Sequence, residues 1–273
     1  MNHFYNLKYA KYFRHRVRQW VDHLRQFTHA CIPANCAMCE GLVMNDGVVC
    51  LDCQPDVQHD LYLPQQQIVF SESWAFSECW AVVAYAGLVK SMIHQIKFQC
   101  RYDLIKPLLG LVQPELTRLC AEQLMPAWQS MAVHQPIIVC ALPSDARAVQ
   151  QRGFDFTHLL TQCFLREALF DIPVIHANNC LIQAPASAWH SHLPQHQQPS
   201  REARLNAMRT QSPFCVSAQG RRQFQGQWQG ATVMVCDDVV TTGATLDAAA
   251  RVLRQAGAGR VIGLSLARTL PRS

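Results

Sequence analysis

Val233-Met234-Val235-Cys236-Asp237-Asp238-Val239-Val240-Thr241-Thr242-Gly243-Ala244-Thr245 is the stretch on which the reading of this chain turns. Four apolar residues run into two adjacent carboxylates, and these run into a small, hydroxyl-rich turn with one glycine. An apolar run of this length reads as a buried parallel strand. Leu246 to Leu253 follow with helical spacing, so residues 241–245 read as a tight loop that opens a helix. Free backbone N–H groups and threonine hydroxyls in such a loop can surround a phosphate, and the helix dipole favours its charge. The carboxylates fall at the carboxyl end of the strand, where open α/β sheets take their ligands. A phosphate cradle beside two hydroxyl-accepting carboxylates suits a ribose 5-phosphate. The plainer alternative, a buried strand and an ordinary capped helix, gives no packing reason for Asp-Asp before Thr-Thr-Gly.

The chain of 273 residues is long enough for one substantial domain and a smaller one, and 49% apolar residues suffice to bury a core. It has no run of about eighteen or more apolar residues, and its start lacks the apolar stretch and cleavage site of a signal peptide. The expectation is a cytoplasmic protein without a transmembrane segment. A formal charge of +5 permits nucleic-acid or polyphosphate partners without demanding them. Thirteen cysteines, an odd number unevenly spaced after Cys53, argue against a disulfide framework. Cys120, Cys140, Cys163 and Cys236 stand among apolar residues and read as small core side chains.

Residues 1–30 are basic and aromatic, and Val17, Trp20, Val21 and Leu24 recur at helical spacing. This predicts an amphipathic helix, either touching nucleic acid or a membrane surface or packed on the next module. Cys36-x-x-Cys39, ten residues, then Cys50-x-x-Cys53 put four thiolates within tetrahedral reach of one Zn²⁺. Gly41 and Asn45-Asp46-Gly47 supply turns between the knuckles. Four thiolates complete a closed shell, so the zinc is structural, and a zinc-ribbon module over 31–60 follows. Residues 61–78 read as a linker, and 79–270 as one α/β domain.

In that domain strands and helices alternate, with strands at Trp80–Tyr85, Pro136–Leu142, Val174–His176, the stretch quoted above, and Arg260–Leu266. Helices are expected around Leu88–Ile96, over 103–120, over 156–169 and after Thr245, with a polar break at Lys97–Tyr102. Alternation of this kind means a parallel sheet with right-handed crossovers.

The quoted stretch resembles the phosphoribosyl pyrophosphate (PRPP) motif of type I phosphoribosyltransferases. Arg152-Gly153-Phe154-Asp155, Ile96-Lys97-Phe98 and Gln198 to Asn206, with the cysteine knuckles, are similar to elements of the ComF family, the GntX-like group. The likeness runs from Cys36 to Arg268. It implies the type I phosphoribosyltransferase fold with an N-terminal zinc ribbon, and a link to DNA uptake in natural competence. It also implies transfer of phosphoribose (a pentosyl group) from PRPP, with Mg²⁺, to an acceptor that the sequence does not name. On this resemblance Asp237 and Asp238 are the catalytic pair, holding the ribose hydroxyls directly or through a metal. Thr241, Thr242, Gly243, Ala244 and Thr245 hold the 5-phosphate. Ser144, Asp145, Ala146, Arg147 and Arg152 attend the pyrophosphate. Lys97, Arg101, Arg201 and Arg204 approach the ligand or acceptor, the last two from a Gln-, His- and Pro-rich, hood-like insertion over 183–215. Ala148, Gln150, Asp145, Asp155 and Thr241 depart from the family pattern, mostly by removing basic residues. The alternative is a protein that senses PRPP without turnover, or a competence factor that binds single-stranded DNA and meets the DNA-uptake machinery.

Overall fold

The computed structural model describes residues 34–43, 49–53, 61, 63, 66–68, 74–126, 137–167, 174–177, 179–184 and 212–270. The helix expected over 1–30, the Asn45–Gly47 turn, and Arg201 and Arg204 lie outside the described residues. The chain divides into two compact units, Met1–Val57 and Gln58–Ser273.

In the first unit, β1 (Ala34–Asn35) pairs antiparallel with β2 (Leu42–Val43). The chain between them closes on itself: the Cys36 amide donates to the Gly41 carbonyl at 2.7 Å, and the Glu40 amide to the Cys36 carbonyl at 2.9 Å.

The second unit is a five-strand parallel sheet flanked by helices. Its strands are β3 (Glu78–Ala84), β4 (Ile137–Ala141), β5 (Val174–His176), β8 (Thr232–Val240) and β9 (Arg260–Arg268), in the order β3-β9-β8-β4-β5. The helices are α1 (Gly87–Phe98), α2 (Ile105–Leu119), α3 (Ala146–Arg152), α4 (Phe156–Glu167), α5 (Ala218–Gln225) and α6 (Ala244–Ala256). A separate ribbon, β6 (Leu181–Gln183) paired antiparallel with β7 (Phe214–Val216), brackets residues 184–213.

Burial on both faces explains the unbroken apolar runs of β4, β8 and β9. Ile138, Cys140, Val233, Val235 and Val261 share a core with Leu246, Ala249, Ala250 and Leu253 of α6. The alternate residues Val139, Met234, Cys236 and Ile262 are as fully buried, and α4 packs against β4 and β8. At the sheet edge, residues 66–68 run antiparallel along β3, the Ile68 amide donating to the Cys79 carbonyl and the Ala81 amide to the Gln66 carbonyl. This covers backbone that would otherwise template aggregation.

Several boundaries differ from expectation. β8 continues through both aspartates to Val240, because β9 pairs with it that far, Val239 opposite Ala267 and Val240 opposite Arg268. Lys97 falls in the last turn of α1 rather than in the polar break. Cys163 is only half-buried, unlike Cys120, Cys140 and Cys236.

Leu253 is fully buried where α6 meets the sheet. Leu253→Ala should cost about 2–5 kcal/mol through lost transfer energy and the cavity left behind. Urea denaturation is the measurement, with the midpoint expected to fall at unchanged slope.

Candidate functional site

The Sγ atoms of Cys36, Cys39, Cys50 and Cys53 all lie within 4.8 Å of one another. Cys39 and Cys50 Sγ are 3.7 Å apart. A tetrahedral zinc with bonds of about 2.3 Å has sulfur–sulfur edges of about 3.8 Å, so the four cysteines could hold that ion. The amides of Met38 and Cys50 both donate to Cys36 Sγ at 3.4 Å. Burial opposes ionisation of Cys36, but the amides of Cys39, Cys50 and Met38 outweigh it and bring the thiol down to about 6. Cys53 is pushed up to about 12, first by its hydrogen bond with Cys50. Packed this closely, the four thiolates need a cation among them to ionise together.

In the second unit, the chain leaves β4 toward β5 on one side and leaves β8 toward β9 on the other. The carboxyl ends of β4 and β8 therefore flank a topological switch point, the crevice where open α/β sheets bind ligands. Two sequence-predicted loops border it: 143–147 after β4 and 241–245 after β8. Gly243 is the N-cap of α6 at φ 79°, a left-handed conformation that turns the chain from strand into helix. The Thr242 hydroxyl accepts from the Ala244 amide at 3.4 Å. Thr241 is exposed, and Thr242 and Thr245 are half-buried.

Asp237 and Asp238 are consecutive residues near the carboxyl end of β8, at the crevice. The Asp238 amide donates to Asp237 Oδ1 at 2.8 Å. Lys97 Nζ, from the end of α1, lies 2.6 Å from Asp238 Oδ2, with side-chain exposures of 26% and 8%. Lys97 pairs with Asp238 alone, and its charge is only the smallest of the influences on Asp237. Burial, then the charge of Asp238, push Asp237 up to about 7, against the opposing pull of the Asp238 amide and Lys97.

The segment after β4 is held by caps. Asp145 is the N-cap of α3 and accepts from the Ala148 amide at 2.9 Å. Asp155 Oδ1 accepts from the His158 amide at 3.2 Å and from the Ser144 hydroxyl at 2.8 Å. Gly153 ends α3 at φ 78°, its amide donating to the Val149 carbonyl. Both aspartates therefore have local structural tasks as helix caps. Ala146 and Arg147 are exposed in the first turn of α3. The helix puts roughly 10 Å between that turn and Arg152, whose guanidinium instead lies 5.9 Å from the Phe154 ring centre.

The structure brings Lys97 onto Asp238 but engages Arg101 elsewhere: its guanidinium grips both oxygens of Asp103, at 2.7–3.2 Å. Three features escape the sequence analysis. Arg268 ends β9 opposite Val240, beside the 241–245 loop, with Nε buried and without a hydrogen-bond partner among the described residues. A cation at the carboxyl end of the last predicted strand was the available signal. Beyond β4 toward β5 lies an open cleft of about 230 Å³ lined by Ser144, Asp155, His158, His176, Asn179 and Gln183, among others. The Gln183 side chain donates to the Ser144 carbonyl at 3.0 Å, tying the root of the β6–β7 ribbon to the 143–147 loop.

No known family model matches the chain. It is similar to proteins named "DNA utilization protein YhgH". For that of Escherichia coli strain K12, identity is 25% over 242 residues, covering 86% of this chain and 90% of the relative. For that of Salmonella typhimurium strain LT2, identity is 26% over 196 residues, covering 70% and 71%. No described helix is long and apolar enough to cross a membrane.

Two outcomes are expected. Elemental analysis of the purified chain should find zinc, and Cys36→Ser should lose it and expose residues 34–53 to protease. The raised Asp237 pKa means that the folded chain holds a proton that the unfolded chain releases between about 4 and 7. That stabilisation is complete below the ordinary carboxylate pKa and is lost as pH rises through about 7. Asp237→Asn should therefore gain on the wild type in thermal melts, by on the order of 1 kcal/mol more at pH 8 than at pH 5.

Proposed function

We propose that this chain binds PRPP in the crevice between β4 and β8 and serves DNA utilisation as a ComF-type phosphoribosyltransferase. The observation that carries the reading is the placement of a carboxylate pair with its own lysine between two loops at the switch point. The amides of Ala244 and Thr245 and the threonine hydroxyls receive the 5-phosphate. The free oxygens of Asp237 and Asp238 accept from the ribose hydroxyls. Lys97 holds Asp238 in place and limits the repulsion between the two carboxylates. The 143–147 loop and Arg147 receive the pyrophosphate, which leaves C1 with the bonding electrons as the acceptor attacks. A transition state of oxocarbenium character gains from the adjacent carboxylates.

Asp238 Oδ2 is taken by Lys97 and Asp237 Oδ1 by a backbone amide, so the remaining oxygens suit hydroxyls and leave few for a metal shell. Mg²⁺ fits instead on the ligand's phosphates, where it would neutralise the departing charge. The DNA-related role rests on the similarity to the DNA utilization proteins. The use of Asp145 and Asp155 as helix caps leaves Arg147 as the cation of the loop, which favours binding without turnover as the second reading.

Calorimetric titration with PRPP and Mg²⁺ tests the site. Saturable binding is expected, weakened roughly 100-fold in Asp237→Asn/Asp238→Asn, which loses two charge-assisted hydrogen bonds to hydroxyls. Absence of binding at millimolar PRPP would remove the proposal. Pyrophosphate release across candidate acceptors separates the enzyme from the sensor.

A further inference from the structure

The open cleft of about 230 Å³ beyond β4 lies on the β5 side of that strand, whereas the crevice lies on its β8 side. Its walls come from the start of the 143–147 loop, the first turn of α4, the end of β5 and strand β6. The chain carries a net charge of +5, yet no lysine or arginine lines this cleft among the described residues. A phosphate finds no cation there. The lining offers hydrogen-bond acceptors instead, set among apolar contacts such as Pro143 and Ile182.

Asp155 supplies the charge. Its Oδ1 accepts from both the Ser144 hydroxyl at 2.8 Å and the His158 amide at 3.2 Å, which leaves Oδ2 without a hydrogen-bond partner among the described residues. Gln183 spends a side-chain N–H on the Ser144 carbonyl at 3.0 Å, so its oxygen is the end left to accept. His176 Nε2 is buried and has no hydrogen-bond partner among the described residues. Burial, then the neighbouring His158, hold that imidazole below its ordinary range, so at neutral pH it is uncharged and one ring nitrogen can accept. The His158 and His176 rings stack with centroids 5.7 Å apart and planes 26° from parallel, which gives the cleft a flat aromatic wall.

Acceptors grouped around an unmatched carboxylate oxygen select a ligand rich in N–H donors, because such oxygens are costly to desolvate without one. A flat wall selects a planar ligand. A carbon carrying two N–H groups in one plane meets both conditions, and a hydrogen bond from it to a carboxylate is of the strong, charge-assisted kind.

We propose that this cleft is a second ligand site, which takes a planar group bearing paired N–H donors. A guanidinium and the amino edge of a guanine-type base share that chemistry. Ser144 is bonded to both Asp155 and Gln183, so an occupant grips the root of the 143–147 loop from the side away from the crevice. The proposal goes beyond PRPP binding and does not rest on it.

Saturation-transfer NMR on the full chain tests it, with methylguanidinium and guanosine as probes. Methylammonium and inosine, neither of which carries the donor pair, are their controls. At least one probe should bind in preference to its control, and which one does so identifies the source of the group. Asp155→Asn keeps an oxygen for the α4 cap and the Ser144 bond but puts an N–H₂ where Oδ2 stands. It should weaken the probe by about 10- to 150-fold, the loss of one hydrogen bond to a charged group. Ile182→Lys, at a position 39% exposed, sets a competing ammonium at the cleft and should weaken the probe as well. No binding of either probe at millimolar concentration, or controls that bind equally well, would overturn the proposal. So would unchanged binding by Asp155→Asn, or by Ile182→Lys if Asp155→Asn does not fold.

Discussion

Parallel pairing of β8 along both its edges is the constraint from which the rest of the second unit follows. A strand so placed must be apolar on both faces, hence Val233 to Cys236 without a polar residue. It can be reached only by crossovers, hence helices between strands. Its neighbours on the two sides are entered from opposite directions, so the carboxyl ends of β4 and β8 cannot be bridged by one connection. The crevice that results is a product of chain topology. The sequence has only to place the right polar groups at its rim, and it does so as soon as the buried run ends, with Asp237 and Asp238.

Charge at that rim is balanced sparingly. Two carboxylates in a low-dielectric setting repel, and Lys97 compensates one of them. Groups arranged in this way are a cost to folding. The surrounding order is supplied by ordinary means, with Asp145 and Asp155 capping two helices and Gly153 turning between them. These residues make the loop after β4 stiff without adding cations to it.

The strand–loop–helix unit around Asp237 was legible because its pattern changes abruptly from a continuous apolar run to helical spacing. The cysteine knuckles were legible because the four ligands are local in sequence. The β6 and β7 strands were not, since three residues each are too few to show a period. Helix α3 escaped for the same reason, seven residues with none buried. The Lys97–Asp238 pair joins the end of α1 to β8, and no local rule reports a contact so distant in the chain. Phe98 could be seen in the sequence as a neighbour of Lys97. Its exposure could not, because it depends on where α1 stops.

The sheet is not evenly knit. β8 is matched to β9 at eight positions but to β4 at four, and β4 to β5 at three. The crevice therefore straddles a seam between a broad cooperative block, β3-β9-β8, and a narrow one, β4-β5. Backbone amides on the narrow side should exchange with solvent through smaller openings than those of the block. The 241–245 loop is anchored to the broadly paired block, and the 143–147 loop to the narrow one. The spacing between these two loops should thus be the softest dimension of the crevice.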